Sequence, residues 1–455
     1  MKPVAASSGD PGASAPPGTV GGSARATSYT DDVGTARPPG IGYRWTIVAL
    51  LFAATTINYI DRQVLGILAP TLQRELGWTE VDYGVIVSWF SLAYGFGLLG
   101  MGRALDWMGA RRGFTVAIVV WSLAAMAHAF ARTVAGFSAA RALLGIGESG
   151  NFPGAVKAVA GWFPKKERAL AIGVFNAGSN VGAVLAPLIV PWITLSWGWR
   201  WAFIITGALG FFWLVAWLAL YAEPERHARV SRAELAYIRS DPAEPVGSLP
   251  WRRLLVHRQT WAFLVGKTMT DPVWFFYLFW LPKFLDANWG VKLAGLAAPL
   301  IVIYVAADFG SVAGGWMSSR LIARGWSVNR SRKVTLLIAA VVILPTALAP
   351  FAGTMWTAVG IVSVAASAHQ WWSANLYTTV SDMFPRRAVA SVIGIGGFGG
   401  AMGSMFFQRA TGRLLEATHG DYKIIFAVCG ATYVLALLFV HLLAPRMEPV
   451  RVEHA

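Results

Sequence analysis

Asp61, Arg62, Arg141, Glu148, Lys267, Asp271 and Asp308 all stand inside long apolar runs of this chain. A charge in such a setting is costly unless it faces a wet cavity or a partner. Asp61 and Arg62 are neighbours, roughly 100° apart on a helix, so one can face a cavity while the other meets a packed helix. Asn58 precedes them by three and four residues and lies on the same side as both. The competing reading is a pair that only stabilises, with Asp61 held permanently by Arg141. Arg141 and Glu148 are almost two turns apart and share a face, and Asn151 follows on the same stretch. A carboxyl able to gain and lose a proton in apolar surroundings suits Glu148 to carrying one; the alternative is a neutral acid bonded to a helix backbone. Arg62 offers the bidentate geometry that carboxylates fit, and Lys267 offers a point charge. Asp271 follows Lys267 by four residues, so an intrahelical pair is the plain alternative. Pro272 and Trp274 favour a broken helix there. His369 is a relay or ligand candidate against a hydrogen-bonded structural role, His128 is expected at an interface, and Asp308 has no evident partner in the sequence.

The elements that must position these groups follow from composition. The chain has 455 residues, 56% apolar and only 13% charged, with 22 Trp and 48 Gly, and a mean hydropathy of +0.52. A soluble domain carries about a quarter charged residues, so a cytosolic enzyme is excluded and a polytopic membrane protein is indicated. The net charge of +15 falls in short clusters between apolar runs, as in membrane loops rather than a nucleic-acid surface. One cysteine, Cys429, excludes an internal disulfide or thiolate zinc cluster. No phosphate-binding loop, His-Glu metal motif or nucleophile elbow occurs, so neither a cofactor nor a metal is expected.

Apolar segments of bilayer-spanning length are expected near 43–70, 83–105, 114–131, 134–160, 169–195, 199–221, 259–282, 296–318, 334–352, 356–380, 388–408 and 424–444. The fold class is therefore all-α integral membrane, with twelve transmembrane helices in two six-helix halves, 41–222 and 259–445. Residues 1–40, rich in Pro, Gly, Ala, Ser and Thr, read as a disordered tail without a secretory signal. Residues 223–258 read as a polar central loop and 446–455 as a second tail. Lys and Arg concentrate in the connections that share a side with the N-terminus, which predicts both termini cytoplasmic.

The halves repeat. Phe163-Pro164-Lys165-Lys166 and Phe384-Pro385-Arg386-Arg387 stand 221 residues apart, and Gly173, Gly178 and Gly182 match Gly394, Gly399 and Gly403 at the same offset. Parallel six-helix repeats place a site at the midplane between the halves. Gly102-Arg-Ala-Leu-Asp106-Trp-Met-Gly109-Ala-Arg111-Arg112 resembles the loop signature of the major facilitator superfamily, with Asp106, Arg111 and Arg112 as structural or gating charges alongside Arg141. The second-half copy, Gly315-Trp-Met-Ser-Ser319-Arg320, lacks the acid. Asn58-Tyr59-Ile60-Asp61-Arg62-Gln63 and Gly147-Glu148-Ser-Gly-Asn151-Phe152-Pro153-Gly154 resemble the anion:cation symporter family. Gly266-Lys267-Thr-Met-Thr-Asp271-Pro272-Val-Trp274 and Ser373-Ala-Asn375-Leu-Tyr377-Thr-Thr-Val-Ser-Asp382 resemble its hexuronate transporter branch.

That resemblance implies proton-driven uptake of an anionic sugar acid across a bacterial-type inner membrane by a functional monomer. Asp61 and Glu148 would then be the protonation pair, with Arg62 and Lys267 as the cations for a carboxylate and Asp271 beside them. Tyr94, Asn151, Tyr277, Gln370, Asn375 and Tyr377 are candidates for sugar hydroxyls, each of which can equally be packing. Another organic anion, an exporter and a transporter-like sensor are the rival readings; paired cations argue against a drug exporter, and the short polar loop against a sensor module.

Overall fold

The computed structural model describes residues 42–240 and 251–450. The expected N-terminal tail, the last residues of the C-terminal tail and part of the central loop lie outside them. Among the described residues the chain is helical throughout, and twelve long helices run in order. They are α1 Arg44–Leu76, α2 Glu80–Leu105, α3 Trp107–Ala127, α4 Val134–Glu148 continued by Asn151–Trp162, α5 Lys165–Trp197, α6 Trp199–Leu220, α7 Arg258–Trp289, α8 Ala297–Ala323, α9 Val328–Phe351, α10 Met355–Met383, α11 Arg386–Ala417 and α12 Lys423–Leu443. The central connection holds two short helices, Arg232–Ile238 and Trp251–Leu254, that the polar sequence did not announce.

Local chemistry sets the breaks. Gly77 closes α1 in the left-handed region, its N–H bonded to Gln73, and Thr79 opens α2 with a reciprocal cap from Asp82. Gly109, two residues into α3, takes φ 78°, which a side chain would resist, and the backbone kinks there. The helix α4, expected as one span, is interrupted at Ser149 and Gly150, directly after Glu148. Pro153 explains it, since its missing N–H leaves the Ser149 carbonyl without its helical donor. Conversely, α7 is unbroken at Pro272, against the expectation from sequence. A neighbouring helix covers the proline: a Cβ on Gly403 of α11 would lie 2.1 Å from the Thr268 carbonyl, the very group Pro272 leaves free. Several helices also outrun their apolar cores. Helix α1 continues past Pro70, α7 past Pro282 and α11 past Gln408, so Arg74, Lys283 and Arg409 sit on helix rather than loop.

The repeat in sequence becomes a repeat in packing. A Cβ on Gly178 or Gly182 of α5 would stand 2.4 Å from the carbonyls of Phe52 and Thr56 on α1. Gly399 and Gly403, their counterparts, press α11 onto Leu264 and Thr268 of α7 in the same way. Close backbone approach of this kind is what holds helices together where no hydrophobic drive operates between them. Eight of the twelve helices are long and apolar enough to cross a membrane by length and composition. The remaining four are α1, α4, α7 and α10, the first of each consecutive three, and the first three of these carry the buried Asp61, Arg62, Arg141, Glu148 and Lys267.

Among the described residues, the hydrogen bonds and ion pairs that join the two halves all lie at the end opposite the chain termini. Arg74 meets Asp286 at 2.6 Å, Lys283 pairs with Glu80, and the Tyr83 hydroxyl donates to the Phe279 carbonyl at 2.6 Å. Arg409 donates to Ser88 at 3.0 Å. Beneath these contacts α2 and α11 nearly touch: a Cβ on Gly412 would lie 2.5 Å from the Glu80 carbonyl. Among the described residues the hydrogen bonds and ion pairs thus clamp the halves at the far end and none joins them at the end bearing the termini. Gly412→Leu should hold α2 off α11 and open the clamp. A cysteine at Ser88 should then react faster with an impermeant maleimide than in the Gly412 parent, against a quiet background because Cys429 is buried. An unchanged rate would contradict the clamp.

Candidate functional site

In the first half the charges expected from sequence converge. Arg62 Nε donates to Glu148 Oε2 at 2.7 Å, and both side chains are almost wholly buried. The guanidinium lies over three rings, Tyr59 at 4.8 Å, Phe90 at 5.2 Å and Tyr94 at 5.0 Å. Its Nη2 also reaches Asn58 Oδ1 at 3.4 Å. Phe90 and Tyr94, one turn apart on α2, stack at 5.6 Å and form the wall of this cage. Glu148 Oε1 has no partner among the described residues. Arg62 is therefore held by one carboxylate oxygen, the Asn58 amide oxygen and the faces of aromatic rings, an arrangement that positions a cation without saturating it.

Arg141 does not pair with Asp61, which corrects one of the two readings left open by the sequence. Both its terminal nitrogens donate to the backbone carbonyl of Arg62, each at 3.2 Å, so it braces α1 beneath the site. Asp61 points the other way, toward α6. Neither of its oxygens has a hydrogen-bond partner among the described residues, and the Thr206 hydroxyl approaches without reaching bonding geometry. Asn151, just past the break in α4, bonds Thr55 at 3.4 Å and leaves its Oδ1 unpartnered.

The second half holds its own pair. Lys267 meets Asp271 at 2.7 Å, donates to the Tyr377 hydroxyl at 3.0 Å and lies over that ring at 4.3 Å. The intrahelical pair foreseen as the plain alternative does form. Asp271 is pressed against α11, where a Cβ on Gly400 would lie 2.2 Å from its Oδ2. Counted along α1 and α7 from their starts, Lys267 stands roughly 13 Å nearer the terminal end than Arg62. Gln370 and Tyr377, seven residues apart on α10, are both partly exposed on one face.

Two hydroxyl candidates are not brought to this group. Tyr277 is buried with its hydroxyl 3.1 Å from Thr346 of α9, and Asn375 spends its amide on the carbonyls of Gly314 and Trp371. Both fill helix contacts, because their positions on α7 and α10 turn into the half rather than toward the other one. His128 caps the end of α3 and is buried in the protein, its Nδ1 bonded to the Ala124 carbonyl and its ring stacked on Phe203 at 5.0 Å. Arg111 ties α3 to the end of α6 through the Leu218 carbonyl at 2.6 Å, Arg112 is exposed, and the Asp106 side chain lies outside the described residues. Asp308 is half-buried on α8 with no ion pair among the described residues. His369 stacks on Trp274 at 5.2 Å and bonds Tyr433. Among the described residues no cluster of His, Cys, Asp and Glu forms a metal site. The cage rings Tyr59 and Phe90 were missed from sequence, although Phe90 and Tyr94 at a spacing of four on an apolar helix were a usable signal.

Residues 51–408 match the family model described as Major Facilitator Superfamily. The chain is 30% identical over 406 residues to a hexuronate transporter of Escherichia coli strain K12, covering 88% of this chain and 93% of that one. It is 31% identical over 311 residues to a galacturonate transporter of Dickeya chrysanthemi, covering 67% and 90%. Among solved structures it resembles a bacterial homolog of the human lysosomal transporter Spinster, inward-facing and unoccupied, with a TM-score of 0.66 at 20% identity over 90% of this chain and 96% of that one. It also resembles the xylose transporter of E. coli in an inward open conformation, with a TM-score of 0.68 at 14% identity, covering 87% and 95%.

The pair itself predicts an asymmetry between two substitutions. Glu148→Ala leaves the buried Arg62 guanidinium uncompensated and should cost about 3–5 kcal/mol of stability. Glu148→Gln keeps an acceptor oxygen at the same place and should cost clearly less. Thermal unfolding of the purified protein in detergent ranks them, and equal losses would show that the ion pair is not what Glu148 supplies.

Proposed function

The chain belongs to the major facilitator superfamily, and on that premise we propose that it is a transporter carrying an anionic sugar acid, foremost a hexuronate, together with protons. It is a multi-pass membrane protein and not an enzyme. The observation that carries the reading is the Arg62–Glu148 pair: a cation shaped for a carboxylate, occupied by a carboxyl that a proton can neutralise.

The chemistry is a competition. While Glu148 is ionised, an incoming carboxylate would have to take Arg62 from it and leave the Glu148 carboxylate buried without its cation, at a cost of about 3–5 kcal/mol. Once Glu148 takes a proton, the guanidinium lacks its counter-charge, and the substrate carboxylate restores it. Asp61, buried without a cation of its own, is the second carboxyl that a proton would neutralise in the same step. Proton and anion are then favoured together, and their loss together returns the ion pair. The far-end clamp supports reading the present form as open toward the terminal end. The concentration of Lys and Arg there supports a cytoplasmic location for both termini in a bacterial-type inner membrane. Rocking of the halves about the loaded site would open the other side, in a unit that works as a monomer.

Similarity to the hexuronate and galacturonate transporters supports the substrate class. A second reading, a sugar diacid, is favoured by Lys267, a second cation held by a carboxylate as Arg62 is. Competition by galactarate in the assay below ranks the two.

Purified protein in liposomes with an imposed pH gradient, acid outside, should accumulate radiolabelled glucuronate, and a protonophore should abolish the accumulation. Glu148→Gln should retain exchange of glucuronate across the membrane and lose accumulation. Accumulation by Glu148→Gln would overturn the coupling role, and no transport by the unmodified protein would overturn the substrate class.

A further inference from the structure

The second half holds a polar group that neither the comparisons nor the proton chemistry above uses, and its place is fixed by the repeat. Glu148 plus the offset of 221 that relates Phe163-Pro164 to Phe384-Pro385 is residue 369. The helices agree, since α4 begins at Val134 and α10 at Met355, the same distance apart. His369 is therefore the counterpart of Glu148, at the matching depth on the matching helix of the other half. Where Glu148 meets Arg62 of α1, His369 meets Trp274 of α7, stacked at 5.2 Å with the planes 7° apart. Trp274 is in turn wedged by Tyr304 of α8.

The hydrogen bonds around the ring determine what it can offer. The Tyr433 hydroxyl of α12 donates to the Thr270 carbonyl at 3.3 Å. A hydroxyl has one proton; with it on the Thr270 carbonyl, the Tyr433 oxygen accepts from Nδ1 of His369, the tautomer on which the rest of this inference is built. Nε2 is left with a lone pair. It has no partner among the described residues, and although the side chain is 3% exposed, Nε2 is not among the buried unpartnered atoms, so it reaches accessible surface. The ring is gripped on its face and at one nitrogen while the other nitrogen is bare. A purely structural histidine would spend both nitrogens or bury the second. Gln370, next on α10, and Asp308, one turn from Tyr304 on α8, are further polar side chains of these helices, and among the described residues neither is hydrogen-bonded or ion-paired.

We propose that His369 is the specificity-determining residue of the second half, accepting a hydroxyl hydrogen of the sugar acid at Nε2 while Arg62 of the first half takes the carboxylate. Tyr433 is the positioning residue that sets the tautomer, and Trp274 fixes the plane of the ring. This rests on the sugar-acid reading above and deepens it. The site would then read the two ends of its substrate with opposite halves: charge by the first, hydroxyl by the second. A small organic anion without hydroxyls would engage only one half.

Two substitutions separate this role from packing. In an apolar contact Leu replaces His better than Gln does, whereas a hydroxyl acceptor is kept by Gln and lost with Leu. Displacement of radiolabelled glucuronate from purified, monodisperse full-length protein should show His369→Leu weakened about tenfold or more and His369→Gln within a few fold of the parent. Tyr433→Phe, which leaves the ring in place but frees its tautomer, should fall between them. The order Leu better than Gln, equal losses for both, or no loss for either would overturn the proposal and leave the sugar-acid reading standing. Absence of glucuronate binding to the unmodified protein would remove that reading, and this proposal with it.

Discussion

A guanidinium and a carboxylate taken out of water together are the constraint on which this molecule is built. Neither Arg62 nor Glu148 is tolerable alone at its depth, so α1 and α4 must present them to each other within 2.7 Å. Much of the surrounding structure serves that demand. Tyr59, Phe90 and Tyr94 give the guanidinium its ring faces, and Arg141 braces the backbone of α1 from below. The interruption of α4 falls directly after Glu148, where Pro153 withdraws a donor from Ser149. A pair held this way is stable only while both members keep their charge, which makes it sensitive to a proton or to a competing anion.

The halves are arranged so that such a change can be felt across the molecule. Within each, glycines pull two helices into backbone contact, α5 onto α1 and α11 onto α7, so the charged helices move with rigid neighbours. Between them, the joining contacts of the described residues gather at the far end around Arg74, Glu80, Lys283 and Asp286. Arg74 is half exposed at its helix end, where an ion pair is partly solvated and worth little by itself, whereas Lys283 is buried against a partly exposed Glu80. A clamp of that kind closes one side without locking it. In the proposed cycle the strong interaction is the central one and the gate is weak, as alternating access requires.

The fold was largely legible in the sequence because its two signals are physical necessities. Twelve apolar runs are needed to satisfy backbone groups in lipid, and the 221-residue repeat is the trace of glycines that must be small in both halves. Arg62 and Glu148 could each be picked out by type inside an apolar run, but their pairing, and the absence of the Asp61–Arg141 pair weighed from sequence, came only with the structure. What sequence does not carry is azimuth. Tyr277 and Tyr377 are both phenols on polar helices, yet one turns to Thr346 within its half and the other to Lys267. Pro272 read as a helix break because the neighbour that covers it, Gly403, is more than a hundred residues away. The helix ends were misplaced for a related reason: Lys283 and Arg409 look like loop residues until their partners across the interface are known.

The central claim is that a proton and the substrate carboxylate are taken up together because they compete, through Glu148, for the state of Arg62. The most direct measurement is the pH change when glucuronate is added to concentrated protein in weakly buffered detergent at neutral pH. The account predicts alkalinisation, protons taken up in proportion to anion bound, and a smaller uptake in Glu148→Gln. Binding of glucuronate with no proton uptake would contradict it.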